Sequence, residues 1–133
     1  MEQKSLVLIL ARELADKLAT AVFVVDDEGT LVYFNERAAE ILGKSFAEAG
    51  AMTINEWAEA FEPLSHDDQP LAADDLPLVA ALRTRNPAHR SFRIQGADGA
   101  SRRIAVTALP LLARSDEVVG AAALFWEDGG EGS

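Results

Sequence analysis

The sequence predicts an α+β domain: a five-stranded antiparallel sheet with helices over one face and a flanking helix at the N-terminus. Three observations lead there. Apolar residues recur at helical spacing over 4–19 and again from about 75 to 85, but run continuously or alternate over 21–34 and 88–127. Turn-forming clusters at Asp26-Asp27-Glu28-Gly29, Ala97-Asp98-Gly99 and Ser115-Asp116-Glu117 join consecutive strands as antiparallel neighbours. Two strands precede a helical middle and three follow it, an order that suits helices gathered on one face of an antiparallel sheet.

The first element, residues 4–19, lacks Gly and Pro and places Leu6, Leu10, Leu14 and Leu18 four residues apart. Its first turns are apolar nearly all round, because Leu8 falls on a face that Leu6 and Leu10 do not share. One surface cannot bury all of them, so the helix is expected to pack on its own sheet and on a second copy. Residues 21–26 read as a buried strand and 31–34 as its return across the Asp26–Gly29 turn. Asn35 then caps a short helix carrying Ala38, Ala39, Ile41 and Leu42, which Gly43 ends. Residues 45–63 read as short helical turns around Phe46, Ile54, Trp57 and Phe61, and 63–73 as a loop. Asp74 or Asp75 caps the next helix, with Pro77 in its first turn and Leu76, Val79 and Leu82 inward. Asn86-Pro87 breaks it. Strands 88–95, 101–109 and 118–127 follow. The expected organisation is a flanking helix over 1–20, a domain over 21–128 and a flexible tail over 129–133.

Composition narrows the function classes. The 133 residues suit one domain, and 49% apolar content is enough for a core. With 12 basic and 22 acidic residues the formal charge is −10, which argues against nucleic acid and anionic membrane as partners. Cysteine is absent, so disulfides, thiolate metal sites and a cysteine nucleophile are excluded. The early apolar run Leu6–Ala11 is too short for a membrane span or signal peptide, and a cytoplasmic protein is the expectation.

The stretches "AVFVVDDEGTLVYFNERAAEILG", "QPLAADDLPLVAALR" and "DGASRRIAVTALPLLARSDEVVGAAALFWED", in this order, resemble the PAS family of sensory domains over about residues 15 to 128. The resemblance implies a five-stranded antiparallel sheet, a small internal cavity and frequent dimerisation through an N-terminal helix. It implies a sensory or regulatory module, such as the input domain of a sensor kinase; the residues themselves show no catalytic motif, so an enzyme is not expected. Relatives of the light-oxygen-voltage and photoactive yellow protein types bond their chromophore through cysteine, a route closed here. Haem-binding relatives commonly use a histidine on the long helix, and Asp75–Arg85 has none; noncovalent flavin stays open but nothing in the sequence supports it, so a haem or flavin sensor is the least favoured reading. The family often closes on an Asp-Ile-Thr-like signal; Glu127-Asp128 and then glycines stand in its place.

No nucleophilic triad or phosphate loop is present, and the two histidines, His66 and His89, read as a loop and a strand-edge residue. The candidate pocket lining is Val24, Phe34, Ile41, Trp57, Phe61, Val79, Leu82, Phe92, Ile94, Val106 and Phe125, open to a small apolar ligand or simply filled. The small residues of "GAAALFW" on the last strand favour space. Trp57 Nε1–H is free to serve a guest or a backbone carbonyl. The candidate self-interface is Leu6, Leu8, Leu10 and Leu14 with Leu124 and Trp126, the Trp being covered by the N-terminal helix of the same chain or of a partner. Eight acidic and no basic residues lie in 45–82, against six Arg and one acidic residue in 83–103. Arg90, Arg93, Arg102 and Arg103 are therefore a candidate patch for an acidic protein partner. A constitutive dimerisation module with a filled core is the alternative reading.

Overall fold

The computed structural model describes residues 2–65, 67, 69–95, 99, 101–113 and 117–127, with side chains from Leu6 onward. Its elements are α1 (Glu2–Asp16), β1 (Ala21–Asp26), β2 (Leu31–Phe34), α2 (Glu36–Leu42), α3 (Phe46–Ala49) and α4 (Ile54–Phe61). After them come a 3₁₀ turn (Ala73–Asp75), α5 (Pro77–Thr84), β3 (Ala88–Gln95), β4 (Ser101–Leu112) and β5 (Val118–Glu127). The strands form one antiparallel sheet in the order β2-β1-β5-β4-β3. The first and last strands of the domain thus lie side by side at its centre, paired from Ala21↔Phe125 to Asp26↔Gly120.

Each face of the sheet carries its own apolar layer. On the inner face Phe23, Val25, Phe34, Phe92, Ile94, Ile104, Val106, Ala123 and Phe125 meet Ile41, Trp57, Phe61 and Val79 from the helices. Burying a side chain of this size contributes about 1.5–3 kcal/mol, so this layer dominates stability. On the outer face α1 lays Leu8, Ala11 and Ala15 on Val22, Val24, Ala122 and Leu124. Gly120 makes that approach close: a Cβ there would stand 3.0 Å from Leu8 Cδ2 and 2.3 Å from the Val25 carbonyl oxygen.

The structure corrects three sequence expectations. Helix α1 ends at Asp16, not at residue 19, because Lys17 N and Leu18 N turn back to the Leu14 and Ala15 carbonyls at 3.0 and 3.2 Å. Neither Asp74 nor Asp75 caps α5; both lie in the 3₁₀ turn, where the Asp75 carboxylate accepts from Ala72 N at 3.3 Å. Leu76 stands at the N-cap with no side-chain bond, and Pro77 opens the helix. Strand β4 continues past 109 to Leu112 along β5, beyond the end of its pairing with β3 at Ala108. Pro110 falls in that part, where one side of the strand needs no ladder donor. The turns expected at 97–99 and 115–117, His66, and the tail lie wholly or partly outside the described residues.

Candidate ligand cavity and helix-docking face

The inner layer leaves a void of about 70 Å³ between the sheet and α2, α4 and the start of α5. Its wall is apolar throughout. Trp57, Phe61, Phe92, Ile94, Val106 and Phe125 line it, as the sequence suggested, joined by Phe23, Leu42, Ala58, Pro63, Leu76, Pro77, Leu78, Ile104 and Ala123. The polar edge of Trp57 is turned away: its Nε1–H donates to the Gly29 carbonyl oxygen at 2.9 Å. Gly29 sits at φ +82° in the β1–β2 turn, and a Cβ there would lie 2.2 Å from Ile54 Cδ1.

The other pocket candidates lie elsewhere. Val24 is on the outer face under α1, because β1 points Phe23 and Val25 inward and Val22 and Val24 outward. Phe34, Ile41 and Val79 are buried in the inner layer beside the void rather than on its wall, and Leu82 is half-buried at its margin. Of the small residues in β5, Ala123 borders the void, whereas Gly120 and Ala122 make room for α1.

Two polar ties complement the packing of α1. Asn35 Nδ2 donates to the carbonyl oxygens of Ala15 and Thr20 at 2.8 and 2.9 Å, while its Oδ1 accepts from Val22 N and Ala38 N at 3.1 and 3.0 Å. The Tyr33 hydroxyl donates to Asp16 Oδ1, and the Arg12 guanidinium carbon lies 4.6 Å from the centre of the Tyr33 ring. Burial, then the bond to the Asp16 carboxylate and its charge, push the Tyr33 phenol up to about 12, with Arg12 opposing. The opposite side of α1 is apolar and open: Leu6, Ile9, Leu10 and Leu14 are each more than half exposed. Leu8 and Leu124 are half-buried within the chain's own outer layer.

The chain's own α1 does not cover Trp126, which stands 46% exposed on the outer face. The helix lies on Gly120, Ala122 and Leu124 and leaves Trp126 beside His89, with ring centres 6.4 Å apart. His89 Nδ1 lies 2.8 Å from Thr107 Oγ1, on the sheet face opposite the cavity. The four arginines do not form one patch. Strand alternation sets Arg93 and Arg103 on the outer face, and Arg90 and Arg102 on the inner. Arg90 Nη1 reaches the Asp75 carbonyl at 3.5 Å and Arg102 pairs with Glu127 at 3.2 Å. An open groove of about 470 Å³ lies between Thr20, Arg37, Glu40, Arg102 and Trp126. Ion pairs close its charged walls, Arg37 with Glu40 at 2.9 Å and Arg102 with Glu127.

No helix among the described residues is long and apolar enough to cross a membrane. Among curated proteins no sequence match is found. Solved structures match closely in fold. A PAS domain from Colwellia psychrerythraea aligns at TM-score 0.64 and 18% identity, covering 91% of this chain and 96% of that one. The LOV protein of Rhodobacter sphaeroides aligns at 0.72 and 18%, covering 96% and 70%. The PAS domain of the fruit-fly ELK potassium channel aligns at 0.71 and 12%, covering 91% and 96%. The sequence itself matches the PAS fold family over residues 15–127, and with the five-stranded sheet and its helical cover this chain belongs to that family.

Proposed function

We propose that this domain is a cytoplasmic sensory or regulatory module of signal transduction, of the kind that serves a sensor kinase as its input. It acts as a homodimer through α1 and takes a small apolar guest in its cavity. One juxtaposition carries the reading: a single sheet separates an apolar void on its inner face from a docked helix with a bare apolar side on its outer face. A change in the first layer is therefore one strand thickness away from the second. The fold likeness to a PAS domain from a two-component sensor histidine kinase, at TM-score 0.61 and 15% identity, is consistent with that role.

The guest class follows from the wall. A guest there gains burial but no hydrogen bond, so charged or strongly polar molecules lose their hydration without return. Apolar voids of about 150 Å³ take benzene, and this one is about half that size, so a six-carbon guest has to push the wall outward. Haem does not suit the site: the described histidine, His89, faces away from it. Flavin does not suit it either, since the cavity offers the ring no polar partner. No catalytic role is assigned. The small void also favours a second reading, a constitutive dimerisation module whose core is in effect filled. Native mass spectrometry of the purified protein separates the two. A dimer carrying a small copurified mass supports the sensory reading; a dimer with no added mass that also ignores benzene supports the second; a monomer at micromolar concentration overturns both.

A further inference from the structure

Among the described residues Asn35 is the one polar side chain in the buried class, 3% exposed. Its amide is fully used: two acceptor sites on the N–H groups of Val22 and Ala38, two donors on the carbonyls of Ala15 and Thr20. The reverse orientation would set donors against two N–H groups, so the surrounding backbone fixes its polarity. The partners belong to different elements. Ala38 N is one of the N–H groups that α2 leaves without a partner at its start, and Ala15 O lies in the last turn of α1, where it also accepts from Leu18 N at 3.2 Å. One side chain therefore caps two helices and ties both to the first residues of β1.

We propose that Asn35 is the joint through which the position of α2 and β1 decides whether α1 stays docked. The proposal rests on the sensory reading above and names how the cavity would reach α1. Leu42, at the end of α2, borders the void. Phe34, directly before Asn35, stacks on the cavity residue Phe23, with ring centres 5.9 Å apart and planes 7° off parallel. A guest that pushes Leu42 or Phe23 moves the atoms that hold Asn35, and hydrogen bonds of this kind weaken steeply with small displacements. Apart from Asn35, the described residues hold α1 by one narrow apolar strip, the Tyr33–Asp16 tie and the Arg12–Tyr33 ring contact. It belongs to the elements that open most readily. Asn35 is thus a positioning residue; it touches no guest.

Asn35→Asp tests this without any ligand. The carboxylate retains both acceptor contacts, including the cap on α2, but turns an oxygen toward the Ala15 and Thr20 carbonyls. At neutral pH, protection of the α1 amides against hydrogen exchange is expected to fall roughly tenfold or more, with α2 and the sheet protected as in the wild type. Burial against two carbonyls favours the neutral carboxyl, so lowering the pH returns one O–H donor and restores part of the α1 protection; a general packing role would not give this recovery. Unchanged α1 protection, or loss spread evenly over α2 and the sheet, overturns the proposal. If this variant does not fold, Asn35→Ser keeps a helix cap but cannot span both carbonyls, and the same two patterns decide. Saturating benzene distinguishes this joint from the cavity reading. In the wild type it should shift the Leu42 methyl signals and speed α1 exchange; in Asn35→Asp it should shift Leu42 alone. Leu42 shifting in the wild type with α1 unchanged overturns the joint. Leu42 unmoved overturns the ligand reading, and the ligand-free exchange pattern still judges the joint.

Discussion

Trp57 Nε1–H donates to the Gly29 carbonyl oxygen, joining α4 to the β1–β2 turn across 28 residues of chain. Both groups are buried, so removing the donor strands an acceptor. Trp57→Phe should cost about 1–3 kcal/mol in urea unfolding. Trp126→Phe, on an exposed ring, should stay within about 0.5 kcal/mol. Equal losses for the two would mean that the Trp57–Gly29 bond contributes nothing.

Gly120 allows α1 and β1 to come close to β5. The added methyl of Gly120→Ala would stand 2.3 Å from the Val25 carbonyl oxygen, a backbone atom that no rotamer change moves aside. Overpacking of this kind costs about 1–3 kcal/mol. The expected signature is a lower urea midpoint together with faster exchange across the β1–β5 pair and α1. Wild-type behaviour in both would show that the strand and helix yield freely at this point.

These contacts divide what the sequence reveals from what it hides. The Asp26–Gly29 turn, the Asn35 cap and the short helix to Leu42 were legible because turn and cap chemistry is local. The inward face of β1 was not. A strand buried on both faces reads as one apolar run, so Val24 and Phe23 could not be told apart. Pro63 was missed as cavity wall because it lies in a loop without a period, and Leu76 and Pro77 because a helical period does not tell which part of the sheet the start of that helix meets. The two donor bonds of Asn35 to the α1 end depend on a meeting of residues 15 to 20 apart in sequence, which no local pattern encodes.

The Tyr33–Asp16 tie gives α1 an alkaline limit. The Tyr33 phenol is pushed up to about 12 in the folded state, from 10.0, by burial first and by Asp16 next. The raised value means the folded state favours the neutral hydroxyl. This stabilisation is therefore complete below pH 10 and is lost as the pH climbs through about 12. Exchange or circular dichroism should report α1 loosening over that interval. Tyr33→Phe should abolish the alkaline step while costing no more than about 1 kcal/mol at neutral pH. An identical step in the variant would assign it to other groups.

The open side of α1 predicts self-association. Leu10 is 57% exposed and lies outside both apolar clusters of the described residues, so Leu10→Glu should leave the unfolding midpoint unchanged at concentrations where the wild type is itself monomeric. In a dimer built on this stripe it buries an unpaired charge. The variant should sediment as a monomer at micromolar concentration where the wild type is dimeric. An unchanged mass would mean that α1 is not the contact.

Ala123 asks whether the void is a receptor or a packing defect. It lies on the cavity wall, in the middle of β5, between the Phe23 and Ala108 positions of its neighbours. Ala123→Val adds two methyl groups to a space of about 70 Å³ and suits the strand backbone. Each buried methylene contributes about 0.8 kcal/mol and crowding opposes it, so stability should rise by up to about 1.5 kcal/mol. If the void serves a guest, the same change should weaken benzene binding at least tenfold and make α1 exchange insensitive to benzene. The domain would then gain stability while losing its response, which a merely imperfect core cannot show. A variant that is more stable yet binds benzene as before would place the guest outside this cavity.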